Sequence, residues 1–207
     1  MKLKQLFAVA LFAGTPAFAS ASGFLVDFEK TWDYTNGDVN DYYNGGSAAD
    51  GSMGGANLGV SFVNVSGLSN DADFTYYTGA PSAQGTAYAH DTAYINVAAG
   101  VNSGLSFFYS SPVAVIGAVK AYSGLNGTGT LLGSFDLAAN NSGAYDTWTQ
   151  ATFLFNGAAQ SFDLTAAGTN FVGLDNVSSV PVPAAFWLLG SGLAMLGAVG
   201  RRGKASI

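Results

Sequence analysis

Oxygen-bearing side chains are the residues of this sequence with the clearest capacity for chemistry. The chain contains 13 Asp and Glu residues, with Asn close to several of them, and no cysteine. Carboxylate and amide oxygens are the ligands that Ca²⁺ prefers, whereas thiolate metal centres, disulfides and thiol catalysis are excluded. The candidate calcium ligands are Asp27, Glu29, Asp38, Asn40, Asp41, Asp71, Asp73 and Asp175.

A contiguous calcium-binding loop of the EF-hand type does not fit these residues. Counting from Asp38, the third position holds Asn40, but the fifth holds Tyr42 and the twelfth holds Ala49. The fifth and twelfth positions of an EF-hand must supply oxygen ligands, and the twelfth is normally glutamate. Any calcium site must therefore be assembled from separate strands.

Four aromatic residues offer a second kind of chemistry, which is the binding of sugars. They fall among Asp, Asn and Gly residues, and a sugar ring presents an apolar face with a polar rim that such a setting would match. The predicted glycan-binding residues are Trp32, Tyr34, Tyr42 and Tyr43. Because aromatic residues make up 14% of the chain, the alternative is that these rings belong to the core.

Enzymatic chemistry finds little support, and we predict no catalytic residues. His90 is the single histidine and is followed by Asp91, but adjacent residues on a strand point to opposite faces, and no Gly-x-Ser-x-Gly motif is present. A glycosidase pair has 13 acids to draw on, but Glu29 is the only glutamate. No glycine-rich run is followed by Lys-Ser or Lys-Thr, as a phosphate-binding loop requires.

Short strands are the elements that must position these residues. Residues 22–180 contain 22 glycines and two prolines, and no apolar pattern of helical spacing continues beyond two turns. Nine runs that alternate or are rich in β-formers are bounded by glycine, asparagine and serine. We predict strands at residues 24–28, 58–65, 94–98, 105–109, 113–122, 130–137, 149–155, 161–165 and 171–177.

These strands predict one all-β domain over residues 22–179, an antiparallel β-sandwich of jelly-roll type. Asn126-Gly127 lies between two of the runs and favours a tight hairpin turn, since both central residues of that turn need positive φ. Residues 36–57 are rich in Gly, Asn and Asp and form a long excursion. That excursion is either a binding edge or a surface spacer.

The jelly-roll arrangement narrows the predicted calcium site to one junction. The first and last strands of such folds tend to lie side by side, and several carbohydrate-binding jelly rolls carry a structural calcium there. The residues that would meet at this junction are Asp27, Glu29, Asp175 and Asn176. The alternative is a set of solvated acids at a sheet edge.

The N-terminal 21 residues read as a secretory signal peptide. Lys2 and Lys4 precede an apolar run, and Ala17-Phe18-Ala19 supplies a cleavage site. We expect an exported protein.

The C-terminal segment, residues 180–204, reads as a membrane span behind a proline motif. Residues 184–199 carry no charge and would extend about 24 Å as a helix, short of a hydrocarbon core of about 30 Å. Gly200 lengthens the predicted transmembrane helix to residues 184–200. The following Arg201 and Arg202 favour a cytoplasmic C-terminus, which places the body on the outer side.

This tail resembles the PEP-CTERM sorting signal in its VPLPA variant. The resemblance rests on Val180, Pro181, Val182 and Pro183, on the apolar run after them, and on Arg201 and Arg202. Val182 stands where the commoner form has glutamate, and Gly203 interrupts the basic cluster. The resemblance implies a bacterial precursor that is held in the inner membrane and processed by an exosortase.

The body is similar to the acidic jelly-roll domain that PEP-CTERM proteins often carry. The similarity rests on residues 28–29, 41–46, 57–62, 126–129 and 173–177, and it supplies no reaction. Without the two ends the chain holds 13 acidic residues and two lysines, hence a net charge of −11, which disfavours nucleic acid. We expect a non-enzymatic envelope or matrix protein associated with exopolysaccharide. The alternatives are a secreted carbohydrate-binding module with a structural calcium and, third, a glycan hydrolase.

Overall fold

The computed structural model describes residues 23–69 and 77–180, which form an antiparallel all-β fold with two short helical segments. Each of the nine predicted segments contains or overlaps a strand. The strands are β1 Leu25–Val26, β2 Val60–Ser69, β3 Gly85–Val101, β4 Gly104–Ser110, β5 Val115–Tyr122, β6 Leu131–Leu137, β7 Thr149–Leu154, β8 Ala159–Asp163 and β9 Gly173–Ser179. A 3₁₀ turn spans Tyr42–Asn44, and helix α1 spans Thr165–Thr169.

Strand β3 organises the sheet because it pairs with three other strands. It runs antiparallel to β2 over most of its length, while its other edge pairs with β9 near Tyr88 and with β8 near Ile95. The strand order is β6-β5-β8-β3-β9-β4-β7, with β1 added to β9 and β2 added to β3. The two ends of this order meet again, since Phe135 of β6 and Phe153 of β7 have ring centroids 5.5 Å apart.

The core lies between the two halves of this folded-over sheet. Buried side chains alternate along the strands, and one row crosses four neighbouring strands through Phe62, Ile95, Phe162 and Ala121. A cluster of phenylalanines fills the space between the halves; it consists of Phe107, Phe135, Phe153, Phe155 and Phe162. The predicted antiparallel, sandwich-like architecture is confirmed.

The predicted Asn126-Gly127 hairpin turn is confirmed between β5 and β6. Asn126 and Gly127 both have positive φ, 53° and 70°, and the Thr128 N–H donates to the Leu125 carbonyl oxygen at 3.1 Å. The turn then folds back against β3, where the Asn126 N–H donates to Asn96 Oδ1 at 2.9 Å.

The excursion at residues 36–57 is neither a detached spacer nor a free loop. Its first part extends the sheet beside β2, since the Val39 N–H donates to the Val65 carbonyl oxygen at 2.9 Å. Asp38 lies opposite Ser66 in an isolated bridge. Further along, Tyr43 and Ala48 are buried in the core. The excursion thus covers one edge of the sheet and is fixed against it.

The predicted signal peptide and transmembrane helix, with Pro181, Val182, Pro183, Arg201 and Arg202, lie outside the described residues. Within residues 23–69 and 77–180, no helix is long and apolar enough to cross a membrane. Val180 closes the described chain, and its N–H donates to the Gly104 carbonyl oxygen at 2.9 Å.

Candidate functional site

The predicted junction of the first and last strands is present. β1 pairs with β9 in antiparallel register, with Leu25 opposite Ser178 and Val26 opposite Val177. Asp27 follows β1, and Asp175 and Asn176 belong to β9. The sequence therefore placed these residues at the correct edge of the fold.

Asp175 is fully buried at this junction, and hydrogen-bond donors surround its carboxylate. The Ser82 N–H donates to Oδ2 at 2.7 Å, while Ser82 Oγ and the Asn176 N–H reach Oδ1 at 2.8 and 2.7 Å. Burial raises the pKa of Asp175 to about 6 despite these bonds, which favour the charged form, and the nearby Glu29 raises it further. Ser82 Oγ also bonds the Asp27 carbonyl oxygen, so it ties β1 to β9.

The carboxylates of Asp27 and Glu29, the other two acids of the predicted calcium site, also accept hydrogen bonds from N–H groups. Glu29 accepts hydrogen bonds from the backbone N–H groups of Ala83 and Gln84, and Asp27 Oδ1 accepts one from the Glu29 N–H. No set of three His, Cys, Asp or Glu side chains in the described ranges comes together as a metal site. Donors directed at the carboxylates of Asp27, Glu29 and Asp175 compete with a cation for these oxygens, and the calcium site at this junction stays a prediction.

The predicted glycan-binding aromatics do not form one exposed platform. Trp32 and Tyr43 are only 4% and 5% exposed, which removes both from a surface that could stack on sugar. Tyr42 is half-buried over Trp32, with ring centroids 5.6 Å apart, and Tyr34 is exposed. The alternative, that the rings belong to the core, is correct for Trp32 and Tyr43.

Trp32 is held by contacts on several sides. Its Nε1–H donates to the Phe28 carbonyl oxygen at 2.9 Å, and a Cβ added at Gly67 would lie 2.1 Å from the ring. Lys30 Nζ lies 4.3 Å from the ring centroid and forms an ion pair with Asp50. Although burial opposes it, hydrogen bonds from Lys30 and Ser52 lower the pKa of Asp50 to about 2. The Lys30 side chain is therefore held by structural contacts with Trp32 and Asp50.

A polar groove lies beside the excursion. Its volume is about 610 Å³. The excursion, β2, β3 and the β5–β6 turn contribute its walls, which are rich in amide and hydroxyl groups. Its polar lining includes Asn40, Asp41, Asn44, Ser61, Asn96 and Asn126.

Two of the groove amides fix each other. Asn96 Nδ2 donates to Asn126 Oδ1 at 2.7 Å, and Asn96 Oδ1 accepts the Asn126 N–H at 2.9 Å. On the opposite wall, Asn44 Nδ2 donates to Asp41 Oδ1 at 3.3 Å, and Asn40 has a positive φ of 46°. No lysine or arginine lines the groove. The groove therefore presents oriented amides and one carboxylate.

A second cavity of about 290 Å³ lies where β3 bulges. Val63 is opposite Tyr94 and Val65 is opposite Ala89, so residues 90–93 of β3 face the single residue Asn64 of β2. β3 thus has three more residues than β2 in this interval, and they are displaced from the regular ladder. The cavity is lined by Asn64, Tyr88, Ala89, His90, Asp91, Thr92, Gly168 and Phe171.

His90 is joined to Ser66 and Asp38 at this cavity. Ser66 Oγ lies 2.7 Å from His90 Nε2 and donates to Asp38 Oδ1, and the same Nε2 is 3.8 Å from that carboxylate oxygen. Sequence reasoning missed this cluster, because it weighed His90 only with its neighbour Asp91. Ser66 and Asp38 are 24 and 52 positions from His90, and strand register alone brings them together.

This cluster does not have the arrangement of a hydrolytic triad. In a triad the carboxylate bonds the imidazole nitrogen that faces away from the serine, which orients the ring as a base. Here Asp38 instead binds the serine hydroxyl, and both Ser66 and Asp38 approach the same Nε2. Ser66 is also buried. The three side chains brace the excursion against β2 and β3.

No family model matches the sequence, and no curated protein matches it. Among solved structures, the K1 cleaved adhesin domain of Lys-gingipain from Porphyromonas gingivalis is similar at 13% identity and a TM-score of 0.46, covering 78% of this chain and 99% of that chain. The K3 cleaved adhesin domain of the same protein is similar at 16% identity and a TM-score of 0.31, covering 57% of this chain and 91% of that chain. At these values neither likeness bears on function.

Proposed function

We propose that this chain is a non-enzymatic, exported bacterial protein that binds exopolysaccharide in the cell envelope or extracellular matrix. The polar groove beside the excursion carries the proposal. Its volume of about 610 Å³ lies in the range of small-ligand sites, and fixed amides, hydroxyls and one carboxylate line it. Sugar hydroxyls donate and accept hydrogen bonds, as amide side chains do, so the groove matches a glycan in chemistry.

The charge of the body narrows the class of glycan. The groove contains Asp41 and no basic residue, and Lys30 is already paired with Asp50. A body with a net charge of −11 repels uronate-rich polymers, whose carboxylates would find no cation in the groove. Uncharged and amino-sugar polysaccharides are therefore the ligands that this surface favours.

Binding is expected to depend on side chains of the excursion. Replacing Asn40 by Gly and Asn44 by Ala should weaken binding to a neutral glucan about tenfold, because each lost hydrogen bond costs about 0.5–1.5 kcal/mol. Glycine is chosen at position 40 because it tolerates the positive φ there. Isothermal titration with a neutral glucan, partially deacetylated chitin and alginate provides the measurement.

Gln150→Ala on strand β7 is the matched control, since it removes an exposed amide away from the groove and should leave affinity unchanged. Alginate should bind more weakly than the other two polymers. Preferential binding of alginate would contradict the charge argument, and failure to bind any of the three polymers or the cell's own exopolysaccharide would remove the glycan proposal.

Delivery to the envelope is assigned to the two ends of the sequence. We expect an exosortase to recognise residues 180–183 and the mature protein to begin near Ser20 or Ser22 and to lack the segment after about Pro183. The intact mass of the protein recovered from the cell surface tests this directly. Retention of residues 184–204 in the surface product would replace sorting by a simple membrane anchor.

The export proposal has a second, independent test. Replacing Leu189 and Leu193 by Asp should add about 5–7 kcal/mol to the cost of membrane insertion and release the unsorted protein to the medium. Immunoblots of cell and medium fractions measure the distribution. Unchanged association with cells would show that the body itself provides the attachment.

A further inference from the structure

We propose that the His90 cavity is a second glycan subsite, and that with the polar groove it forms one extended face for a single polysaccharide chain. This inference rests on the proposed function and adds the length and location of the bound segment. The rings of Tyr88 and Phe171 are assigned the stacking role that the sequence had given to Trp32 and Tyr43.

The groove and the cavity lie consecutively on the same face of the sheet. Tyr88 and His90 of β3 line the cavity, and Asn96 and Ala98 of the same strand line the groove. These four residues lie an even number of positions apart, whereas the core side chains of β3 between them lie at odd positions, so all four face the same side of the sheet. Part of the excursion runs alongside β2, with Asn40 in the groove and Asp38 opposite Ser66.

The length of this surface exceeds that of one sugar. Ser61 marks the groove, and Ser66, opposite Tyr88, marks the cavity. Five residues of strand extend at most about 17 Å, and although the positive φ of Asn64 shortens this distance, it still exceeds the length of one sugar unit. A polymer chain laid along β2 would occupy both regions, whereas a single sugar would occupy one.

The cavity is bordered by an exposed aromatic side chain, whereas Phe62, the aromatic residue of the groove, is buried. Phe171 is 69% exposed and borders the cavity. Tyr88 borders the same cavity, and its ring is 4.8 Å from that of His90. Asp91 and Thr92 add polar groups to the lining. Aromatic faces next to polar groups are what a sugar ring requires.

The cavity is also held in shape without a ligand. Asn64 Nδ2 donates to the Thr92 carbonyl oxygen across the bulge, and Ser66 and Asp38 hold the His90 ring. On the far side, α1 packs directly on β3, since a Cβ added at Gly168 would lie 1.8 Å from the His90 carbonyl oxygen. A wall fixed in this way loses little freedom when it binds a ligand.

The test measures how affinity depends on the chain length of the glycan. The protein is titrated with oligomers of the neutral glucan or chitin-type polymer that it binds. Affinity should rise from dimer to hexamer as the second subsite is filled. Phe171→Ala should lower the affinity for the hexamer about fivefold, because one aromatic contact is lost. The affinity for the dimer, which fits within the groove, should not change. The excursion variant Asn40→Gly with Asn44→Ala should weaken both.

Ile116→Ala is the control, because Ile116 is 79% exposed on β5 and borders neither region. Tyr88→Ala repeats the test at the second ring, with the melting temperature confirming that the variant is folded. Equal affinity for dimer and hexamer, or a Phe171→Ala variant that binds the hexamer normally, would overturn the second subsite while leaving the groove. Absence of binding at every length would remove both proposals.

Discussion

Trp32→Ala is expected to lower the free energy of unfolding by about 3–5 kcal/mol, the cost of removing a large ring from a packed core. Trp32 is buried, its indole N–H donates to Phe28, and its ring rests on Gly67. The backbone next to the ring belongs to two hydrogen-bonded strands, since Gly67 lies within β2 and Gly85 begins β3, and it therefore resists a shift into the space. The measurement is urea unfolding followed by far-ultraviolet circular dichroism, because that signal comes from the backbone and not mainly from tryptophan.

Ile116→Ala again serves as the matched control and should change stability by no more than about 0.5 kcal/mol, because an exposed side chain has little burial to lose. Gly67→Ala approaches the same contact from the other side, since its methyl group would meet the Trp32 ring. Overpacking of this kind costs about 1–3 kcal/mol. If Trp32→Ala proved as stable as the parent, the packing described for Trp32 would be wrong.

The stability of the domain is expected to fall as the pH rises from about 4 to 6 through the ionisation of Asp175. The pKa of this buried carboxyl is raised in the folded state to about 6, from an ordinary value of 3.8, so the folded state binds more protons than the unfolded state within that window. The stabilisation by the neutral form is complete below pH 4 and lost as pH passes 6, and the difference amounts to about 3 kcal/mol.

Asp175→Asn should remove this pH dependence, and the comparison of parent and variant at each pH isolates it from other acids. Asp50 acts outside the window, since its pKa is lowered to about 2. Asp146→Asn changes an exposed acid and is the charge-matched control. Melting temperatures between pH 4 and 7.5 report the effect, and identical pH profiles for parent and Asp175→Asn would contradict it.

The effect of calcium on stability can be measured in the same melting experiment. Because N–H and O–H donors already occupy the carboxylates of Glu29 and Asp175, millimolar Ca²⁺ should shift the melting temperature no more than Mg²⁺ at equal ionic strength. A rise specific to Ca²⁺ that Glu29→Gln with Asp175→Asn abolishes would instead support the calcium hypothesis at this junction.

Local sequence pattern was sufficient to locate the strands. Alternation and glycine-bounded runs are local signals, and so is the Asn126-Gly127 turn, which requires two positive φ angles in succession. The strand whose length was predicted least well is β3, since only residues 94–98 of Gly85–Val101 were predicted. Its first part is short of large apolar side chains, because small residues such as Ala87 and Ala89 pack in the core there.

The site was harder to predict because it depends on register and burial. Trp32 and Tyr43 stand among polar residues in the sequence, but the excursion folds back and buries both rings. The groove amides Asn40 and Asn96 are 56 positions apart, and the three-residue mismatch between β2 and β3 that creates the second cavity has no local signature. The positions of Asp27 and Asp175 at the strand junction were predicted correctly, because fold topology determines them. The hydrogen-bond donors to these two carboxylates were not predicted.

The position of β9 within the sheet determines how the domain responds to mechanical load. Any tension applied to the chain beyond Val180 enters the fold through β9, which is hydrogen-bonded to β4 on one edge and to β1 and β3 on the other. Pulling along this strand loads many of those bonds together in shear, and none can be peeled away singly as at a free sheet edge. A body pulled by its C-terminal end would therefore resist mechanical unfolding.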